Sequence, residues 1–76
     1  MPKSIPTPSI LDELESLGAP YGRRRWRSHG GRRLYEWDSL HGEVEVYNGR
    51  GEHLGALDPV TGDPVKNAVP GRTIDV

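Results

Sequence analysis

Seventy-six residues, 33% of them hydrophobic and none of them Phe or Cys, make one small domain that buries only about 60% of its unfolded surface and has no disulfide or thiolate metal site to hold it. No apolar run approaches the roughly 20 residues of a membrane helix, and the first residues lack the charged-then-apolar layout of a signal peptide. The net charge of −1 conceals an asymmetry: residues 1–22 sum to −2, residues 23–33, with six arginines and no acid, to +6, and residues 34–76 to −5; a local basic patch of this kind attracts phosphate.

Residues 1–8 carry three prolines and read as a flexible or extended lead-in. Ser9 then has the character of a helix N-cap, with Asp12 as its capping partner. Ile10, Leu11, Leu14 and Leu17 fall at helical spacing, with Asp12, Glu13 and Glu15 on the other side. Gly18 suits the position after a helix and Pro20 prevents resumption, so a short helix is predicted over 9–17. The segment from Gly22 to Gly31, GRRRWRSHGG, reads as a loop because its arginines repel one another and glycines end it.

From Arg32 the texture becomes β. Arg33 to Asp38 alternates in type, as does Glu43 to Tyr47, and Ser39 to Gly42 is a connection short enough for an antiparallel hairpin. Asn48-Gly49-Arg50-Gly51 is a second turn signal. His53 to Leu57 forms a third strand, and Asp58 to Gly62 is a third turn. Pro64, Pro70 and Gly71 limit the tail to short strands near 64–67 and 72–75. The expected fold is α+β but mainly β: a short N-terminal helix, then a highly twisted antiparallel sheet of four to six strands over 22–76, all in one domain.

Alternation also sorts side chains by face. Glu43, Glu45 and Tyr47 share one face of their strand, with Val44 and Val46 on the other. Glu36 and Asp38 lie opposite Tyr35 and Trp37. If the aromatics and valines pack together, four carboxylates cluster on the reverse side with His41 in the connection beside them. A one-residue slip reverses this arrangement. A carboxylate among like charges is tuned towards a general base, and histidine is a natural proton donor near neutrality. Metal-free RNA cleavage needs a base for the ribose 2′-hydroxyl, an acid for the departing 5′-oxygen and a cation for the phosphoryl oxygens. Glu, His and Arg would meet those needs, and the substrate carries its own nucleophile.

Blander readings stand beside these. Alternating Glu and Val is the pattern of any half-exposed strand, and His41 beside Gly42 suits a turn. The arginine run fits a solvated loop, a contact to an acidic protein or a contact to RNA. Trp26 within it either stacks on a base or closes the core. His29, His41 and His53 lack ligand spacing, and the acids at 36, 38, 43 and 45 match no calcium loop, so no metal or other cofactor is expected.

The run YEWDSLHGEVE, Tyr35 to Glu45, resembles the cytotoxic ribonuclease domain of the colicins and cloacin that inactivate ribosomes. The likeness includes Arg23-Arg24-Arg25-Trp26 before it. It continues through Tyr47, His53-Leu54-Gly55, Asp58-Pro59, Thr61-Gly62, Arg72 and Ile74, and so covers roughly residues 22–75. The resemblance implies a short helix with a twisted antiparallel sheet. It also implies metal-free cleavage of small-subunit ribosomal RNA at the decoding site, in the bacterial cytoplasm of a target cell, and an acidic immunity protein as partner of a monomer. On that resemblance Glu45 is the general base, His41 the general acid, Asp38 the group that orients His41, and Arg72 the stabiliser of phosphoryl charge, with acid and base labels exchangeable. Arg23, Arg24, Arg25, Trp26, Glu43, Tyr47, His53 and Lys66 are expected to position substrate. A ribonuclease acting on transfer or messenger RNA and a non-catalytic RNA- or partner-binding module are the competing readings.

Departures from the pattern are also visible. Leu40 and Val44 stand where the family has Gln and Leu. Val46 replaces a family Gly, the Tyr47–His53 loop is one residue shorter, Gly71 replaces a basic residue, and Asp75 lies in a tail that is Lys-rich in the family. Fewer phosphate contacts, and weaker, less salt-dependent ribosome binding, are expected. Receptor-binding and translocation regions are not part of the sequence, which fits either an excised domain or a free-standing relative.

Overall fold

The alternating hairpin at 33–47 is the centre of the architecture. In the computed structural model, which describes residues 2–76, six strands run in sequence order through one antiparallel sheet. They are β1 (Glu15–Ser16), β2 (Arg25–Arg27), β3 (Arg33–Asp38), β4 (Glu43–Asn48), β5 (His53–Leu57) and β6 (Pro64–Asn67). Each of the three expected turns is built by its leading Asx side chain, which replaces a backbone acceptor. Asp38 Oδ1 accepts from the N–H groups of Leu40 and His41. Asn48 Oδ1 accepts from Arg50 and Glu52, and Asp58 Oδ1 from Val60 and Thr61.

The register joins like with like. Tyr35 lies opposite Val46 and Trp37 opposite Val44, while Glu36 faces Glu45 and Asp38 faces Glu43. The apolar face of the sheet supplies Trp26 and Val44 to a core completed by Leu11, with Ile5, Ile10, Leu14, Tyr35, Trp37 and Leu57 packed against it. The β-branched Val46 lies across from Gly55. That glycine has φ +143°, and a Cβ there would stand 2.7 Å from the Lys66 carbonyl oxygen. The β-branched side chain therefore faces a strand position that can hold no side chain of its own.

Two expectations are corrected. The predicted helix over 9–17 is a single 3-10 turn, Ile10–Glu13. Its capping box is present, with Ser9 and Asp12 satisfying each other's backbone. Leu14, however, is extended (φ −101°, ψ 158°), because the chain then pairs with β2, Glu15 opposite Arg27 and Ser16 opposite Trp26. A nucleus of one turn gains little, whereas strand pairing and the burial of Leu11 require the chain to leave the helix at once. The second correction concerns the predicted loop from Gly22 to Gly31. Arg25–Arg27 is a strand, and its arginines do not repel each other because they go to separate partners: Arg25 bonds Glu36 at 2.8 Å and Arg27 bonds Glu15 at 2.8 Å.

Both chain ends cover the sheet. The lead-in is fastened to the hairpin, Lys3 N donating to the Ser39 carbonyl (2.7 Å) and the Trp37 indole to the Lys3 carbonyl (3.0 Å). At the other end the expected strand at 72–75 reduces to one bridge, Thr73 with Glu52. The backbone N–H of His53 donates to the Arg72 carbonyl and that of Ile74 to the Gly51 carbonyl. The tail then reaches β2, where Arg25 Nη1 donates to the Asp75 carbonyl at 2.6 Å. Strands from both halves of the sheet thus converge on one C-terminal segment over the polar face.

Candidate active site

One cross-strand row carries the polar face: Arg25, Glu36, Glu45, Ala56 and Lys66, on β2 to β6 in turn. Glu36 and Glu45 were expected on a polar face, and they are there, but almost completely buried at 4% and 2% exposure. Buried carboxylates must be neutralised. Each of the four carboxylates on this face has a partner: Glu36 meets Arg25, Asp38 the His41 ring at 2.8 Å, Glu43 meets Lys66 at 2.9 Å, and Glu45 meets Arg72 at 3.2 Å. The acidic face is thereby paired residue for residue, and Arg23 stands at its rim with no carboxylate partner among the described residues.

Glu45 is held asymmetrically. Its Oε2 meets Nε2 of the buried His53 ring at 3.2 Å. The tautomer of that ring follows from its other nitrogen, Nδ1, which accepts the backbone N–H of Val69 at 3.0 Å. The proton must then lie on Nε2 and point at Glu45. Oε1 of Glu45 is likewise buried. The Arg72 guanidinium pairs with it at 3.2 Å. The two oxygens of this carboxylate are thus held by different partners, one by an imidazole and the other by a guanidinium.

His41 is held by its own turn. Asp38 Oδ1 ties down its turn, and Oδ2 takes its Nδ1 at 2.8 Å, leaving Nε2 unpartnered on a half-exposed ring. Burial raises the Asp38 carboxyl, but its bonds from the His41 ring and from the His41 and Leu40 backbones outweigh this and hold it below the ordinary value. Burial likewise lowers Arg72, and the Tyr47 phenol and Glu45 beside it more than reverse that, so it stays charged. The Tyr47 hydroxyl is pushed up by burial despite Arg72, and packs edge-on to His53 with ring centroids 5.3 Å apart. Glu43 raises the Lys66 ammonium through their hydrogen bond.

A cleft of about 300 Å³ brings together Arg23, Asp38, His41, Glu45, Lys66 and Arg72. Asp38, His41, Glu45 and Arg72, the four residues that the resemblance led one to expect as catalytic, therefore converge. Of the residues expected to position substrate, Arg23 and Lys66 line the cleft, while Glu43, Tyr47 and His53 support it through Lys66, Arg72 and Glu45. Arg24 and Trp26 are elsewhere: Trp26 belongs to the apolar core, and Arg24 stacks over its ring at 4.8 Å. Arg25 is spent on Glu36. Sequence reasoning does not identify Glu36 as the anchor of that arginine, although its alternation with Asp38 puts it on the right face. Asp38, His41 and Glu43 also present ligand atoms within 4.8 Å of one another, the best set for a cation among the described residues, yet His41 and Lys66 already occupy the two carboxylates.

Residues 5–75 match the family model described as Cytotoxic. Over 53 residues, 68% of the chain, it is 51% identical to colicin E3 and 55% identical to cloacin, both of Escherichia coli. Colicin-E6 of the same organism is 49% identical over an equal length. The chain spans about a tenth of the length of these relatives.

Proposed function

The chain belongs to the Cytotoxic family, and from that premise we propose that it is a toxin endoribonuclease that cleaves small-subunit ribosomal RNA at the decoding site and halts translation. The observation that carries the reading is the convergence in one cleft of the buried Glu45 carboxylate, the free Nε2 of an Asp38-bound histidine and the Arg72 guanidinium.

In the reaction Glu45 Oε1 takes the proton of the ribose 2′-hydroxyl as that oxygen attacks the adjacent phosphorus. The P–O5′ bond breaks, and His41 Nε2 gives its proton to the departing 5′-oxygen. The products are a 2′,3′-cyclic phosphate and a 5′-hydroxyl. Asp38 keeps the His41 ring oriented and stabilises its charged form, as a carboxylate does for an imidazolium in other acid–base sites. Arg72 and Lys66 face the charge that develops on the phosphoryl oxygens. His53 holds the Glu45 carboxylate in place from behind. No step needs a metal ion or other cofactor.

Colicin and cloacin relatives suggest delivery into the cytoplasm of a target bacterium as part of a larger toxin, and a protecting immunity protein. Arg23, Arg24, Arg32 and Arg33 are all exposed and suit an acidic partner. Primer extension on ribosomes incubated with the chain tests the function. A single stop in small-subunit RNA, retained in EDTA and absent with His41→Ala, is the expected result. Cleavage of free transfer or messenger RNA with intact ribosomal RNA would move the substrate elsewhere, and binding without any cut would remove the enzyme reading altogether.

A further inference from the structure

A second cavity, of about 360 Å³, opens on the other side of Arg72, and the cleavage reaction leaves it unused. It shares Arg23 and Arg72 with the reaction cleft. Its remaining walls include Tyr21, Arg25, Glu36 and Tyr47, with the tail residues Thr73–Asp75 closing one side. Its size lies at the lower end of the roughly 300–1,000 Å³ of small-ligand sites.

Three features bear on what it takes. Tyr21 is a large aromatic side chain left 54% exposed, and it is held in place by the Arg25 guanidinium, 4.9 Å from its ring centroid. With Arg25 over one face of the ring, the other face is a platform for stacking a base. Glu36 is 4% exposed and lines the cavity. Both of its hydrogen bonds from Arg25, at 3.1 and 2.8 Å, arrive at Oε2, and among the described residues no donor reaches Oε1. Finally, Arg23 and Arg72 stand between the two cavities. A phosphate bound there has one cavity on each side of it, as a phosphodiester has a nucleoside on each side.

We propose that this cavity is a nucleobase subsite, occupied by the base next to the bond being cleaved. The base stacks on Tyr21 and donates an exocyclic amino N–H to Glu36 Oε1. A carboxylate can only accept, so adenine, cytosine and guanine fit, whereas uracil brings two carbonyl oxygens around its single imino N–H. A buried acceptor left unpaired by the wrong ligand is an effective basis for rejection. The proposal rests on the RNA-cleavage reading for what lies in the neighbouring cleft, while base binding itself requires no cleavage.

The test is titration of the folded chain with AMP, CMP, GMP and UMP, following the Tyr21 ring signals and the Gly22 and Thr73 amides by NMR. The three amino-bearing nucleotides are expected to shift these signals, with UMP at least roughly fivefold weaker. Tyr21→Ala weakens all of them by about tenfold, the typical loss of one stacking platform, and Tyr21→Phe restores binding. Glu36→Gln removes the discrimination against UMP; because it strands Arg25, its thermal unfolding is measured alongside, and the exposed Tyr21 variants carry the test if it fails to fold. Equal binding of UMP, or shifts confined to Arg72 and His41 that Tyr21→Ala does not alter, would overturn the subsite. Selective base binding by a chain that cuts no RNA leaves the subsite standing and sinks the reaction. RNA cleavage indifferent to Tyr21 and to the flanking base does the reverse.

Discussion

The two faces of the sheet are both buried, by opposite means. On one side Trp26, Val44 and Leu11 exclude water with hydrocarbon, under a lid formed by the N-terminal segment. On the other, Arg25, Glu36, Glu45 and His53 are equally enclosed but carry charge and hydrogen bonds, under a tail tied to β5 and β2. The apolar face gains free energy from burial without regard to direction. The polar face gains little net stability, because desolvation offsets the attraction of its pairs. What it acquires is geometry: acceptors and donors held at set positions in a medium where charge acts strongly. One face makes the fold and the other has the form of a site.

Activity should separate the faces most strongly. Glu45→Gln keeps the shape and the His53 contact, and His41→Ala removes a half-exposed ring. Each should lower ribosome cleavage by about 10²–10⁴-fold, the usual worth of a general base or acid, with circular dichroism and Tm little changed. Near-wild-type cleavage by either would remove the assigned roles.

Stability should respond next. Trp26→Ala on the apolar face should cost about 3–5 kcal/mol, enough to unfold much of a domain this small. On the polar face, Arg25→Met strands a buried Glu36 and should cost a similar 3–5 kcal/mol, while Arg25→Met with Glu36→Leu should recover most of the loss. Urea denaturation of the single and double variants reads this directly. Failure of the double variant to recover would show that the polar face contributes as much to the fold as the apolar one.

His53 offers a finer test. His53→Gln can keep a donor near Glu45 but loses the Val69 clamp, and should lower kcat about tenfold while leaving KM nearly unchanged, the signature of a misplaced base rather than lost substrate contact. A change in KM alone would place His53 at the substrate instead.

The smallest effect is one of pH. The Asp38 carboxyl is held below its ordinary 3.8 by His41, against the opposing effect of burial. A depressed folded value means that its contribution is fully present above about pH 3.8 and is lost as pH falls through the folded value. Acid unfolding of Asp38→Asn should therefore be flatter than wild type below pH 3.8 and parallel to it above. An unchanged slope would mean that the His41 bond contributes nothing to the fold.

Much of the polar face is legible in the alternation of residue types. The patterns of 33–38 and 43–47 imply that Glu36, Asp38, Glu43 and Glu45 share a side, and the observed register, Glu36 with Glu45 and Asp38 with Glu43, agrees. His53–Leu57 and Pro64–Asn67 are strands where their turns and prolines bound them. The helix expected over 9–17 fails because leucine spacing is local, whereas Leu14 answers to β2, met only at Arg27. The strand in the arginine run is hidden because repulsion is the default for neighbouring cations, and the partner of Arg25 lies eleven residues on.

The sequence by itself determined the hairpin of 33–47, the turns after it and which of its side chains share a face, because a period of two and turn-forming residues act over a few positions. Tertiary structure alone decided that Glu45 is buried, that one of its oxygens is clamped by His53 through Val69, and that Arg72 returns from the tail to face the other. Those contacts join residues 8 to 27 positions apart, and their electrostatics depend on the water excluded by chain segments that no local pattern connects.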